Sequence, residues 1–245
     1  MEKAPPFLSA EGDMRLEDQS WMDVKKYLEV DDRLILILGA CEQHGYLSLL
    51  TDSRIPQALA DAASEQTGVL TAPALHFGVS PYFLTYPGTI SLRSSTLLAV
   101  IEDMVRSVYG YGFRRLLFVN GHGGNDAAAS KLVELANELI GLQSAWYNWF
   151  DSHSLQEIAI RHGLKIEHAG WVEAFPFTRV GDLPEGEKLP PSYQGLLNAE
   201  ETREAYGDGM FGGRYQAGQE IMDEVFSACL QDILSLLEFG RIIQR

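Results

Sequence analysis

The sequence predicts an α/β fold of three layers, α/β/α, in which a mainly parallel sheet is flanked by helices. Two apolar runs, Leu34-Ile35-Leu36-Ile37-Leu38 and Leu116-Leu117-Phe118-Val119, show no polar alternation, as befits strands covered on both faces. Segments of helical spacing lie between and after such runs. Strands that alternate with helices form a layered sheet with helices on both sides.

Each element has its own signal. Residues 15–30 read as a short surface helix, and 33–39 as the first strand. A helix follows over 54–67 and stops at Gly68, with a short strand from Val69 to Pro73. The spacing of Leu97, Val100, Ile101, Met104, Val105 and Val108 predicts a helix over 96–109, capped by Ser95 and ended by Gly110 and Gly112. Strand 115–119 leads into a glycine-rich loop. Asn125 or Asp126 then starts a helix that buries Leu132, Val133, Leu135, Ala136 and Leu139 and stops at Gly141. Residues 144–150 read as an aromatic strand and 153–162 as a helix ended by Gly163. From 181 to 218 the chain is rich in Gly, Pro and acidic residues, a loop-rich excursion suited to a lid or an oligomer contact. A last amphipathic helix covers 219–240 through Met222, Val225, Phe226, Cys229, Leu230, Ile233 and Leu237.

With 245 residues and 46% hydrophobic content, one large domain over 1–245 is sufficient. The net charge of −15 argues against nucleic acid or an anionic membrane as partner, since both need a basic face. Cys41 and Cys229 give no disulfide framework. The first twenty residues show no apolar signal core, and no run reaches membrane-spanning length, so a cytoplasmic protein is expected.

The chemistry concentrates at two strand ends. Glu42-Gln43-His44-Gly45 follows the first apolar run, and Asp52 comes shortly after. In an extended segment Glu42 and His44 face the same side. Asp52, read alone, is a helix N-cap; read with its neighbours, it is a carboxylate able to bridge two metal ions. Asn120-Gly121-His122-Gly123-Gly124-Asn125 follows the second run. Its glycines let His122 project into a cleft. The loop has neither dinucleotide-fingerprint spacing nor a phosphate-loop lysine. Gly123, Gly124 and Asn125 are expected to shape the loop. The third cluster is His168-Ala169-Gly170-Trp171-Val172-Glu173; alone, its histidine and carboxylate are ordinary surface groups. Nothing near His76, His153 and His162 makes a ligand set. Cys41 reads as a small packed residue. Trp146 and Trp149 read as core, and Trp171 as a pocket wall. Ligands in such sheets bind beyond the carboxyl ends of the strands, where both special loops fall.

Together these residues resemble the creatininase family of metal-dependent amidohydrolases. Glu42 to Asp52 resembles the family's first metal motif, and Tyr86-Pro87-Gly88-Thr89-Ile90-Ser91-Leu92 its proline-glycine-threonine segment. Asn120 to Asn125 resembles its histidine loop, and His168-Ala169-Gly170 with Glu173 its last motif. The matches run over about 30–180 in the family's order. The resemblance implies a dinuclear site with Glu42, His44, Asp52 and His122 as ligands and Asp52 bridging. In creatininase itself a further carboxylate lies two residues after the loop histidine. Gly124 stands there in this chain, and Glu173 is the implied replacement. The stretch between His44 and Asp52 is one residue short of the family pattern and lacks its second histidine. Trp171 stands for a glutamate, and Ala174-Phe175 for threonine-serine. The substrate wall is thus altered, which argues against creatinine itself.

The reading that follows is a metal-dependent hydrolase acting on the C–N bond of a small amide or cyclic amide. Two divalent ions per subunit are implied, zinc or manganese, with iron also compatible with the carboxylate and imidazole ligands. The nucleophile is a water or hydroxide bridging them, and His168 and Glu173 are the catalytic candidates. Other readings are a formamide deformylase on a pyrimidine nucleotide, a small-peptide hydrolase of the mycofactocin-associated kind, or a non-catalytic binder on the same scaffold. The family resemblance also implies a homo-oligomer, often a hexamer.

Overall fold

The computed structural model describes residues 14–240. Most of the amino-terminal stretch read for a signal core therefore lies outside the described residues. Four parallel strands form the main sheet: β1 (Arg33–Leu38), β2 (Leu70–Thr71), β3 (Arg115–Asn120) and β4 (Gln143–Asn148), in the order β2-β1-β3-β4. The α-helices are α1 (Trp21–Tyr27), α2 (Thr51–Thr67), α3 (Ser94–Tyr111), α4 (Ala127–Glu138), α5 (His153–Arg161), α6 (Ala199–Tyr206) and α7 (Gln219–Leu236). A two-stranded antiparallel ribbon, β5 (Glu187–Lys188) with β6 (Gly213–Arg214), completes the set.

Alternation within β1 divides the core. Ile35 and Ile37 join one apolar cluster with Ile55, Leu59, Leu155, Val225 and Ile233, hence with α2, α5 and α7. Leu34, Leu36 and Leu38 join a second with Tyr27, Leu97, Ile101, Val105, Leu132 and Leu135, hence with α1, α3 and α4. Both faces of the sheet are covered, and the three-layer α/β/α expectation is met. Burying a side chain of this size contributes ~1.5–3 kcal/mol, which makes the two clusters the main stabilising term.

The register brings the functional loops to one edge. Leu38 pairs with Asn120, and Asn120 with Asn148, so three strands end level. The loops after β1 and β3 therefore emerge side by side. Helix α2 begins at Thr51, three residues earlier than its apolar pattern suggests, and this puts Asp52 in its first turn. There the helix dipole favours a carboxylate. Pro56 lies inside α2 and cannot donate to the Asp52 carbonyl four residues earlier. Gly121 packs against that carbonyl: a Cβ on Gly121 would stand 1.9 Å from Asp52 O and 2.9 Å from Pro56 Cγ. Only glycine lets the end of β3 approach α2 so closely.

Several expectations need correction. Residues 15–30 contain only the seven-residue α1, preceded by a short 3-10 helix over Leu16–Asp18. Ser95 does not cap α3: the cap position is Arg93, and no side chain bonds there. Asp126 occupies the cap of α4 without capping it, because its carboxylate accepts from Asn148 Nδ2 at 3.0 Å. Val133 is 62% exposed, since the buried face of α4 runs through Ala128, Leu132 and Leu135. Trp149 lies beyond β4 in a 3-10 helix, though it is buried as expected. Trp171 is a core residue of the first cluster, with its Nε1 donating to Lys165 O at 2.7 Å. The final helix stops at Leu236. The 181–218 excursion also holds more structure than a loop: α6 is closed by a capping box between Asn198 and Glu201, and the β5–β6 ribbon spans it.

Gly121→Ala is expected to destabilise the chain by about 1–3 kcal/mol through overpacking against Asp52 O. Gly110→Ala, where nothing lies within 4 Å of the added Cβ, should instead be neutral or gain up to ~1 kcal/mol. Paired urea denaturation curves check the contrast; equal stability of the two variants would contradict the packing argument.

Candidate metal centre

Glu42, His44, Asp52, His122 and Glu173 are all buried, and their side chains converge. Asp52 sits between the two imidazoles. Its Oδ1 lies 2.8 Å from His44 Nε2, and its Oδ2 lies 3.0 Å from His122 Nδ1. Glu42 Oε1 approaches His122 Nδ1 at 3.4 Å, and Glu173 Oε2 approaches His44 Nε2 at 3.8 Å. Three sets of ligand atoms each fall within 4.8 Å of one another: Glu42 with Asp52 and His122, His44 with Asp52 and Glu173, and Glu42 with His44 and His168. The sequence-predicted site residues are thus brought together, although Glu173 is 121 residues from Asp52.

Hydrogen bonds behind the imidazoles aim them. His44 Nδ1 donates to the Glu42 carbonyl at 3.2 Å, which leaves Nε2 for the centre. His122 Nε2 donates to Val79 O at 2.8 Å, which leaves Nδ1. Such outer partners fix the tautomer of a metal-bound histidine. Glu173 is held from behind as well: its Oε2 accepts from the Ala169 N–H at 2.6 Å. Ala169 reaches that position with a left-handed φ of 57°, at a cost of about 1–2 kcal/mol.

The site residues suit cations. Glu42 Oε2 is shielded from solvent and has no hydrogen-bond partner, and the buried Asp52 Oδ2 and His44 Nε2 face only other members of the cluster. An unsatisfied buried carboxylate oxygen is costly, and a divalent ion satisfies it. Without cations, protons balance the charge. Burial and the neighbouring Asp52 push Glu42 up to about 7, and burial pushes Glu173 up to about 7. Against the burial that would lower them, His44 is raised to about 10 by Asp52, Glu173 and Glu42, and His122 to about 9 by Glu42 and Asp52. Burial raises Asp52 too, but His44 and His122 outweigh it and hold Asp52 below the usual carboxylate range.

At Gly124, where creatininase itself carries a carboxylate, a Cβ would stand 2.0 Å from Val79 O and 2.5 Å from His122 Nε2. No side chain fits there. Glu173 approaches the same cluster from the 3-10 helix Trp171–Glu173.

His168 stands beside the cluster, with its Nδ1 3.9 Å from Glu42 Oε1. Its ring stacks on Phe83 at 4.7 Å and leans on Phe211 at 4.9 Å. Burial and the nearby charge on His44 push it well below the ordinary histidine value. Asn125 closes the loop from within, its Nδ2 donating to Gly39 O at 3.1 Å and Asn120 Oδ1 at 3.2 Å. Gln43, Ser80, Phe83 and Phe211 also border the site, where the sequence had not led one to expect them. Gln43 lies inside the first motif and could have been suspected from that place. Ser80, 3.3 Å from His122 Nε2, and the two phenylalanines carry no sequence signal. His76, His153 and His162 lie on the surface, as expected. Cys41 is half-buried and bonds Gly88 O through its thiol.

A family model described as Creatininase, creatinine amidohydrolase, matches residues 17–237. The chain belongs to the creatininase family. Creatinine amidohydrolase of Pseudomonas putida is 29% identical over 124 residues, covering 48% of this chain and 48% of that protein. Mycofactocin precursor peptide peptidase of Mycobacterium tuberculosis (strain CDC 1551 / Oshkosh) is 38% identical over 113 residues, covering 42% and 45%. The chain thus matches about half the length of these curated relatives. A crystal structure of creatinine amidohydrolase superposes with a TM-score of 0.79 at 22% identity, over 94% of this chain and 99% of that one. Two further creatininase structures, one described as a Zn-Zn type and one as a Mn form, match with TM-scores of 0.78 and 0.74, each at 21% identity over 93% of this chain and 98% of theirs. At such identity the superpositions establish this creatininase-family member's fold.

Zinc affinity is expected to rise with pH between about 6 and 9. His44 and His122, raised to about 10 and about 9, are protonated in the metal-free protein at neutral pH and must lose those protons to bind. Each proton released steepens the rise by up to about tenfold per pH unit until the pH passes the histidine value. Calorimetry in buffers of different ionisation enthalpy measures the release; a pH-independent affinity would contradict it.

Proposed function

We propose that this creatininase-family chain is a metal-dependent amidohydrolase that cleaves the C–N bond of a small amide. The observation that carries the reading is Asp52. Its two buried carboxylate oxygens face different histidines, so Glu42–Asp52–His122 and His44–Asp52–Glu173 form two ligand sets that share one residue. In this reading Asp52 would be the ligand shared by two divalent ions, and Glu173 would supply the carboxylate that Gly124 cannot. Carboxylate and imidazole donors suit zinc and manganese. Such ions polarise a carbonyl and lower the pKa of water from ~15.7 to about 7.

His168 has the second role. It is held neutral, and bound cations would push its pKa in the same direction. A neutral imidazole would take at Nδ1, on the side of Glu42, the proton that the attacking water loses as it bonds the carbonyl carbon, and would pass it to the leaving nitrogen as the C–N bond breaks. Its stacking between Phe83 and Phe211 restrains the ring for that transfer. A peptide amide is the favoured substrate class, because the relative with the higher identity, 38% against 29%, is a peptide peptidase. A homo-oligomer is part of the same proposal, supported by Leu189 and Leu196, which leave 84% and 87% of their surface exposed on the excursion. No helix among the described residues is long and apolar enough to cross a membrane.

Metal analysis of chelator-free protein, joined to a panel of small amides, cyclic amides and short peptides, tests the reading. Asp52→Ala is expected to lose both ions, His44→Ala one, and Glu173→Gln one, with the fold retained by circular dichroism. Two ions retained in Asp52→Ala would remove the bridge. His168→Gln should keep both ions and lose ~10²–10⁴-fold in turnover; full turnover in that variant would exclude His168 from proton transfer.

A further inference from the structure

Segment 206–211 of the excursion lies over His168. The Phe211 N–H donates to the His168 carbonyl at 3.0 Å, and the Phe211 ring also stacks on Tyr206 with centroids 4.1 Å apart. Gly209 O accepts from Gln43 Nε2 at 3.0 Å. The same residue holds the ring through its backbone, His168 Nε2 donating to Gln43 O at 3.1 Å, which leaves Nδ1 free. Gln43 is itself pinned, since its Oε1 accepts from the Gly45 N–H at 3.0 Å. Contact with the segment is tight: Gly209 has a φ of +93°, and a Cβ there would stand 1.7 Å from Gln43 Oε1. The first metal motif, His168 and segment 206–211 therefore meet at one residue, Gln43.

Beyond Tyr206 this segment has left α6, and it has not yet reached β6. Within the turn the Gly209 N–H donates to Tyr206 O and the Met210 N–H to Asp208 Oδ1, each at 3.2 Å, and further donors come from elsewhere. Lys188, on β5, supplies them: its Nζ donates to Tyr206 O, Asp208 Oδ1 and Met210 O at 2.5–2.7 Å. An ammonium has three protons, and all three are spent on this one turn. Asp208 Oδ2 in addition accepts from Tyr215 Oη at 2.9 Å. Tyr215 packs edge-on against Tyr46, next to the first metal motif, at 5.7 Å. The turn is thus gathered on one cation and braced by one tyrosine.

We propose that Lys188 is a positioning residue for His168. By gathering the turn, it holds Gly209 on Gln43 and Phe211 on the His168 ring, and so fixes that ring and limits access to it. The role rests on the reading of His168 as the group that faces the substrate. It does not require Lys188 to touch a metal ligand or the substrate.

The zinc-loaded protein tests this with Lys188→Met, which keeps the chain length and removes the ammonium. Two measurements are made. One is the rate at which diethyl pyrocarbonate acylates His168, followed by peptide mass spectrometry with surface His153 and His162 as references. The other is the imidazole resonance pattern of the six histidines. Bonds to a charged group are among the stronger ones, so His168 acylation should speed up by about tenfold or more relative to the references. The His168 resonance should shift or broaden while zinc content stays at the wild-type level. Should Lys188→Met fail to fold, Asp208→Asn, which weakens the same turn, is read in the same way. A mere brace would lower the melting temperature without moving the His168 resonance. That outcome, or an acylation rate within about twofold of wild type, which marks an opening equilibrium left unchanged, would overturn the proposal. Turnover of His168→Gln on the amide and peptide panel is a separate readout: its retention would remove the catalytic reading and leave the acylation result to judge the wall.

Discussion

The burial of Asp52 is the constraint on which the rest of this structure depends. A carboxylate shut away from water costs several kcal/mol unless paired. Here two imidazoles pair it, one on each oxygen, and the first turn of α2 adds a favourable dipole. That pairing determines where the loops after β1 and β3 must lie, because each delivers one of the imidazoles. It also explains the opposed pKa shifts of the cluster. In so small a dry volume, carboxylates are pushed up unless a histidine is beside them, and histidines are pushed up by the carboxylates. Divalent cations resolve the same conflict by replacing the protons.

Close backbone approach makes the convergence feasible. Gly121 lets β3 end against the Asp52 carbonyl, which Pro56 leaves without a helical donor. Gly124 lies against Val79 O so closely that a carboxylate side chain cannot occupy that position. The loss is offset from the far side of the chain. Glu173 comes from the 168–173 motif, and a strained Ala169 turns its N–H to hold the carboxylate in place. The cluster thus draws one of its carboxylates from the 168–173 motif.

The excursion has a place in the same scheme. It forms no part of the main sheet, but its turn at 206–211 covers His168 and bonds Gln43. The polar half of the site is built on the ends of rigid strands. The apolar half, Phe83 and Phe211 around His168, comes from irregular segments gathered by local bonds. Rigid placement suits ligands that share charge. A wall built from a bonded turn suits the side on which a substrate enters.

The sequence by itself determined the layered α/β class, the helices on both faces, and the identity of the charged cluster. Unalternating strands and helical spacing are local signals; Glu42, His44 and His122 follow such strands within a few residues, and Asp52 lies eight residues after His44. Boundaries were less legible. Asp52 read as a cap before a helix starting near 54, whereas α2 starts at Thr51, because tertiary pairing of Asp52 outweighs local capping preference. The amphipathic pattern also drew Val133 inward, although the buried arc of α4 is too narrow to include it. Only the tertiary structure decided that Glu173 meets His44, that Gly124 has no room for a ligand, and that Gly209 of the excursion accepts from Gln43. Those contacts join residues far apart in the chain. Their geometry depends on strand register and on sub-ångström backbone clearance, and neither quantity is written in the order of the residues.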